Sequence, residues 1–227
     1  MIAFQGVYKV YNSHSTALED VNFQIKPGEF VSLAGRSGAG KSTIIRLLIG
    51  EDKPTRGRVL FGQYEVNRIK HKELPAFRRH IGVVFQDFRL LPTKTAYENV
   101  AFALEVAGRP QREIQELVPQ VLDMVGLSDK LHNFPHQLSG GESQRVAIAR
   151  AMVHRPEVII ADEPTGNLDP FHTWEIINLL QKINQLGTTL ILATHDKEII
   201  NSLEKRVLTV DHGRLIRDEE KGKYILV

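Results

Sequence analysis

Gly35-Arg36-Ser37-Gly38-Ala39-Gly40-Lys41-Ser42 fits the pattern G-x-x-x-x-G-K-[ST], with Thr43 directly after it. Glycines let successive backbone N–H groups curl around phosphate oxygens, and a helix starting at the same point adds a favourable dipole. Gly35, Ser37, Gly38, Ala39, Gly40 and Thr43 are therefore expected to form or border a phosphate cradle. Lys41 is expected to reach the β- and γ-phosphates, and Ser42 to offer its hydroxyl to Mg²⁺. A mobile glycine turn ahead of a core helix is the plainer alternative. The context disfavours it: an apolar strand signal, Phe30–Ala34, comes before, and helical spacing of Ile44, Ile45, Leu47 and Leu48 comes after.

A second stretch, Val158-Ile159-Ile160-Ala161-Asp162-Glu163, is an apolar run closed by two carboxylates. Asp162 at the end of a strand can hold Mg²⁺ through water. Glu163, one residue on, can polarise a water for attack on the γ-phosphate. Alone, the stretch reads as a solvated acidic turn; beside the glycine loop it reads as the hydrolytic half of a nucleotide site. In a third stretch, Leu138-Ser139-Gly140-Gly141-Glu142, Ser139 is suited to cap a helix. Gly140 and Gly141 would then expose N–H groups at its start, a second place for an anion.

The three stretches together resemble the ABC-type ATPases, and Leu138–Glu142 is similar to that family's signature motif. The resemblance extends over the chain from Tyr11 to His195. It implies that Tyr11 stacks on adenine, with Tyr8 a less well placed rival. It makes Gln86 the glutamine that contacts Mg²⁺ and the attacking water. Gly166-Asn167-Leu168-Asp169 becomes the loop that crosses a dimer interface, with Asp169 near nucleotide, and His195 the histidine bonded to the γ-phosphate. In that family a site is completed in trans, so ATP is expected to drive a homodimer in which Ser139 and Gly141 serve the other copy. Ser143, where many relatives carry glutamine, is the one departure, expected to tune rather than to disable.

Phe85–Pro92 with Thr95–Val100 resembles the bacterial cell-division branch of the family. Asp162–Asp169 is shared with lipoprotein-release and macrolide-exporter ATPases, which remain the alternative. The cell-division branch implies an FtsX-like integral membrane partner and a peripheral place on the cytoplasmic face of the bacterial plasma membrane. Part of the apolar cluster Phe88, Leu90 and Leu91 is expected to line a groove for a helix of that partner; burial in a core is the competing reading. A single glycine loop, a single signature and a formal charge of only +2 count against a nucleic-acid partner.

Positioning these residues requires a particular set of elements. Leu18, Val21, Phe23 and Ile25 are spaced as half-buried strand positions before the turn Lys26-Pro27-Gly28-Glu29. Val59–Phe61 and Ile81–Phe85 read as strands. Stretches near 94–107 and 111–126 are helical in period, with Gly108-Arg109-Pro110 as a breaker. Two β-branched runs, Val158–Ile160 and Thr188–Leu192, flank a helix near 171–185, which makes a βαβ unit and a parallel sheet. Val207–Val210 and Arg214–Ile216 flank a hairpin turn. The expected fold is α/β: a P-loop NTPase with, by the resemblance, a RecA-like parallel-sheet core, an N-terminal antiparallel β-subdomain and an inserted α-helical subdomain. A single ATPase domain would span 1–227, with 1–87 and 156–227 forming the core and 88–155 the helical insertion.

Composition agrees with that class. Hydrophobic residues make up 42% and charged residues 25%, ordinary for a globular chain. With no cysteine, disulfides, thiolate zinc sites and cysteine nucleophiles are excluded. No apolar run approaches the roughly 20 residues of a membrane span, and the N-terminus lacks the features of a signal peptide, so neither insertion nor export on its own signal is expected. His132 and His136 are separated by Pro135, which spoils helical spacing for a metal pair.

Overall fold

The computed structural model describes residues 1–12 and 15–224. The chain divides into two compact units, Met1–Arg78 with Thr189–Val227, and Arg79–Thr188.

The first unit opens with β1 (Ile2–Asn12) and β2 (Ser15–Ile25), paired antiparallel. With β4 (Arg56–Phe61) and the short β5 (Tyr64–Glu65) they form a sheet in the order β2-β1-β4-β5. Leu18 and Val21 are three residues apart yet both fully buried, which a strict two-residue alternation forbids. The register slips between Val7 and Lys9, which face Val21 and Leu18; the extra residue falls in β2, where Asp20 has positive φ, and this bulge returns Val21 to the inner face. Phe4 and Phe23, directly opposed, stack at 4.5 Å, a cross-strand pair that holds the register.

The same unit contains β3 (Phe30–Ala34), α1 (Lys41–Leu48), α2 (Leu74–Arg78), β8 (Thr189–Thr194), α7 (Lys197–Leu203), β9 (Arg206–Asp211) and β10 (Arg214–Glu219). Strand β3 runs parallel to β8 on one side and β9 on the other. All of β3 and β8 is buried, as parallel strands covered on both faces require. Strands β9 and β10 form the expected hairpin, with His212 and Gly213 at φ 44° and 76°, the two left-handed positions of a type I′ turn.

The second unit pairs β6 (Ile81–Phe85) parallel with β7 (Val158–Asp162). Between them in sequence lie α3 (Ala96–Val106), α4 (Gln111–Met124) and α5 (Gly140–Met152); α6 (Pro170–Gln185) follows β7. Helices α3, α4 and α5 share a core that includes Val100, Leu104, Ile114, Val118, Leu122, Val146 and Ala149. Leu90, one member of the apolar cluster after Gln86, and Tyr97 of α3 are half-buried against this core. Gly82 meets α5 so closely that a Cβ there would lie 2.4 Å from the Ala151 carbonyl oxygen. Among the described residues no helix is long and apolar enough to cross a membrane.

Candidate active site

In the first unit the glycine loop links the C-terminal end of β3 to α1. Gly40 is the N-cap of α1 at φ 114°, with no side-chain cap and no acidic residue in the first turn. The helix therefore presents its first N–H groups uncompensated by side chains, as an anion site needs. A Cβ on Gly40 would lie 3.0 Å from the Ala17 carbonyl oxygen and 2.9 Å from Leu18, so neither the conformation nor the space admits another residue. Lys41 is only 6% exposed. Its Nζ donates to the carbonyls of Gly35 at 2.6 Å and Arg36 at 3.2 Å, which holds the ammonium against the loop's own backbone. Ser37 and Gly38 line the exposed rim, Ala39 is buried, Ser42 is exposed and Thr43 half-buried.

The hairpin β9–β10 braces this loop. Gly213 N donates to the Ala39 carbonyl at 2.9 Å, and Glu19 N donates to the Gly213 carbonyl at 2.8 Å. Gly35 passes so near β9 that a Cβ would sit 2.5 Å from the Val210 carbonyl oxygen.

Tyr11 is the penultimate residue of β1, with 45% of its surface exposed. The Lys9 ammonium lies 4.6 Å from its ring centroid, and its hydroxyl donates to Asp52 Oδ2 at 2.6 Å. Partial burial and then Asp52 raise the phenol's pKa, while Thr43 and Arg46 of α1 pull the other way. The ring is thus fixed beside the first turns of α1, with an apolar face available for stacking. Tyr8 is half-buried, with Arg56 5.4 Å from its ring. His195 follows the buried end of β8 and is exposed; Asp196 after it caps α7.

In the second unit Asp162 ends β7, and Glu163 follows at φ 47°. A left-handed glutamate is a strained conformation, costing on the order of 1–3 kcal/mol, of the sort found where a side chain must be aimed. Gly166 N closes the turn on the Glu163 carbonyl at 3.1 Å.

Gln86 follows β6 and is joined to the Asp169 loop twice. Its Nε2 donates to Asn167 Oδ1 at 3.3 Å, and Asn167 Nδ2 donates to the Gln86 carbonyl at 3.0 Å. Gly166 lies beneath this side chain; a Cβ there would be 2.7 Å from Gln86 Nε2. Beyond Gln86 the backbone is again left-handed at two consecutive non-glycine residues, Phe88 at φ 56° and Arg89 at φ 47°. The Arg89 guanidinium sits 3.7 Å from the centroid of the Phe85 ring.

Ser139 is the N-cap of α5, accepting from Glu142 N at 3.2 Å, while Glu142 Oε2 accepts from Ser139 N at 2.7 Å. This reciprocal capping box was not read from the sequence, although the spacing S-x-x-E announces it. The bond from Ser139 N, helped by Lys130 and Arg145, holds the Glu142 carboxyl below the ordinary range. Gly140 is exposed and Gly141 is buried. The cause is His172 of α6: a Cβ on Gly141 would come within 2.6 Å of its ring. Asp169 caps α6, accepting from Phe171 N at 3.0 Å and His172 N at 3.1 Å, and its other oxygen pairs with His172 Nδ1. The His172 bond is the largest influence lowering the Asp169 pKa.

Gln144 and Arg150 of α5 also entered no sequence expectation. Gln144 is fully buried and donates to the Pro164 carbonyl at 2.8 Å.

The donors expected to hold a metal, the Ser42 hydroxyl, the Asp162 carboxylate and the Gln86 amide oxygen, are all oxygen, which suits Mg²⁺ and not a thiophilic metal.

The ABC transporter family pattern matches residues 18–166. The chain is 52% identical over 224 residues to the cell division ATP-binding protein FtsE of Streptococcus pneumoniae, covering 99% of this chain and 97% of that one. With the protein of the same description from Bacillus subtilis the figures are 53% over 224 residues, 99% and 98%. A solved dimeric ATP-binding cassette in a post-hydrolysis state with ADP and Pi superposes with a TM-score of 0.87 at 37% identity, covering 99% of this chain and 100% of that one. A phosphate-cradling loop, a strand-end carboxylate pair and a capped glycine motif, on a chain so matched along its length, mean that this protein belongs to the ABC transporter family and is an ATPase.

Proposed function

We infer that the chain is the ATP-hydrolysing subunit of an FtsEX-like complex, driving an FtsX-like integral membrane protein in bacterial cell division. The observation that supports this most is identity of 46–53% along nearly the whole chain to cell division ATP-binding proteins from several bacteria.

In this reading the N–H groups at the start of α1 and the Lys41 ammonium neutralise the phosphates. Tyr11 supports the adenine ring. Ser42, Asp162 and Gln86 hold Mg²⁺, which when bound supplies charge neutralisation to the β- and γ-phosphates. Glu163 accepts the proton of the attacking water, and its left-handed backbone fixes the direction in which the carboxylate points. His195, at the end of β8, donates to the γ-phosphate and reports its presence. Ser139, Gly140 and Gly141 belong to the nucleotide of a second copy, and Asp169 to the loop between copies. Because that contact needs the γ-phosphate, ATP closes the homodimer and hydrolysis releases it. The chain then works at the cytoplasmic face of the membrane, held there by its partner, with 88–155 acting as a helical subdomain between the parts of the catalytic core at 1–87 and 156–227.

Co-purification tests the assignment. An affinity-tagged chain expressed in its own host should retain an integral membrane protein, and depletion of the chain should give filamentous or lysing cells. Recovery with a lipoprotein-release or macrolide-type exporter instead, or normal division on depletion, would move the chain to that branch.

A further inference from the structure

The left-handed pair Phe88–Arg89 lies two residues beyond Gln86, and its carbonyls converge on one side chain. Arg150, on α5, donates from Nη1 to the Arg89 carbonyl at 2.6 Å and from Nη2 to the Phe88 carbonyl at 2.8 Å. Two consecutive non-glycine residues in this region do not persist unless their surroundings hold them there. Arg150 is half-buried, and burial lowers its pKa, so the cation in turn needs those carbonyls. The fork geometry of a guanidinium suits two adjacent acceptors, which an ammonium cannot match.

The other flank of Gln86 is tied to the same helix. Gln144 Nε2 reaches the Phe85 carbonyl at 3.5 Å while donating to Pro164 O at 2.8 Å, just after Glu163. Gln86 therefore sits between two attachments to α5, the helix that carries Ser139 and Gly141 at its start.

We propose that Arg150 is a positioning residue for ATP hydrolysis: by clamping the left-handed Phe88–Arg89 turn to α5 it sets the position of Gln86. Movement of α5, whose N-terminus meets the second copy's nucleotide, is thereby delivered to Gln86. This rests on the role given to Gln86 above. The clamp also explains why two bulky residues occupy positions that glycine would fill without strain: a turn that needs a clamp is one that responds when the clamp moves.

The test uses the full chain. Arg150→Met removes both donors while keeping an apolar stem. Amide exchange over residues 86–91 is measured without nucleotide, and kcat and KM for MgATP are measured alongside melting. The expectation is faster exchange confined to 86–91 and a fall in kcat of about tenfold with KM nearly unchanged, as for a modest misplacement of a catalytic group. Adding Arg89→Gly, which holds the left-handed conformation without a clamp, should recover much of the lost kcat without raising the melting temperature. A purely structural arginine gives the opposite pattern: activity lost in step with stability, and no recovery from glycine. If Arg150→Met does not fold, Arg150→Lys with and without Arg89→Gly is read in the same way. Unchanged exchange at 86–91, unchanged kcat, no glycine rescue, or failure of both Arg150 variants to fold would each overturn the proposal. An unsubstituted chain that releases no phosphate would count against the role of Gln86 instead, and the exchange arm would still decide whether Arg150 clamps the turn.

Discussion

At the scale of single residues, the roles proposed for Lys41 and Glu163 divide binding from cleavage, and substitution can tell them apart. In the proposed reading Lys41, held by two loop carbonyls, supplies charge to the phosphates, so Lys41→Ala should weaken ATP binding itself, measured by titration with a fluorescent analogue. Glu163→Gln keeps shape and hydrogen bonding but cannot take a proton, so ATP should still bind while turnover falls by about 10²–10⁴-fold. Glu142 offers a pH test. Its carboxyl caps Ser139 N and is held below the ordinary range. A depressed folded-state pKa means its contribution is complete above the unfolded value, near 4.3, and is lost as pH falls through the folded value. Glu142→Ala should therefore cost about 1 kcal/mol at neutral pH, and the difference in melting temperature from the unsubstituted chain should shrink below pH 4. Lys41 and Glu163 are candidates legible in the sequence because they rest on residue type and short spacing. The links Gln86–Asn167 and Arg150–Phe88 are not, because nothing in a linear pattern says which distant carbonyl a side chain will reach.

At the scale of elements, helices α5 and α6 meet at a glycine. Gly141 lies against His172, and Arg145 of α5 pairs with Glu175 of α6 at 3.1 Å. Gly141→Ala should push the start of α6 away, lowering the melting temperature and slowing turnover, and His172→Ala should relieve part of both losses. Additive effects in that double-mutant cycle would show that the contact does not couple them. Leu90→Glu places a charge against the α3–α4–α5 core and should destabilise the chain by a few kcal/mol, seen as a lower denaturation midpoint. Most elements were legible from pattern, since the buried strands β3, β7 and β8 are largely apolar runs and the helical period near 94–107 marks α3. The bulge in β1–β2 was not, because its sign is a three-residue gap that alternation alone cannot interpret. The close approach of Gly141 to His172 is illegible for a related reason: a glycine pair at a helix start does not say which distant side chain will pack on it.

At the scale of the whole molecule, the chain carries one nucleotide loop and one signature, so the reading above needs a second copy. In a Glu163→Gln background ATP should convert monomer to dimer in light scattering, ADP should not, and adding Ser139→Arg should abolish the change by crowding the opposing phosphate. A dimer indifferent to nucleotide or to Ser139→Arg would remove the signature from the site. The brace from the β9–β10 hairpin to the Ala39 carbonyl has a genetic consequence. Gly213 belongs to no recognised motif, yet its N–H supports the nucleotide loop, and a Cβ there would lie 2.6 Å from the Ala17 carbonyl oxygen. Selection for heat-sensitive division mutants should therefore recover alleles at Gly213, far in sequence from the glycine loop, and excess ATP should suppress them in extracts more readily than it suppresses lesions at Glu163.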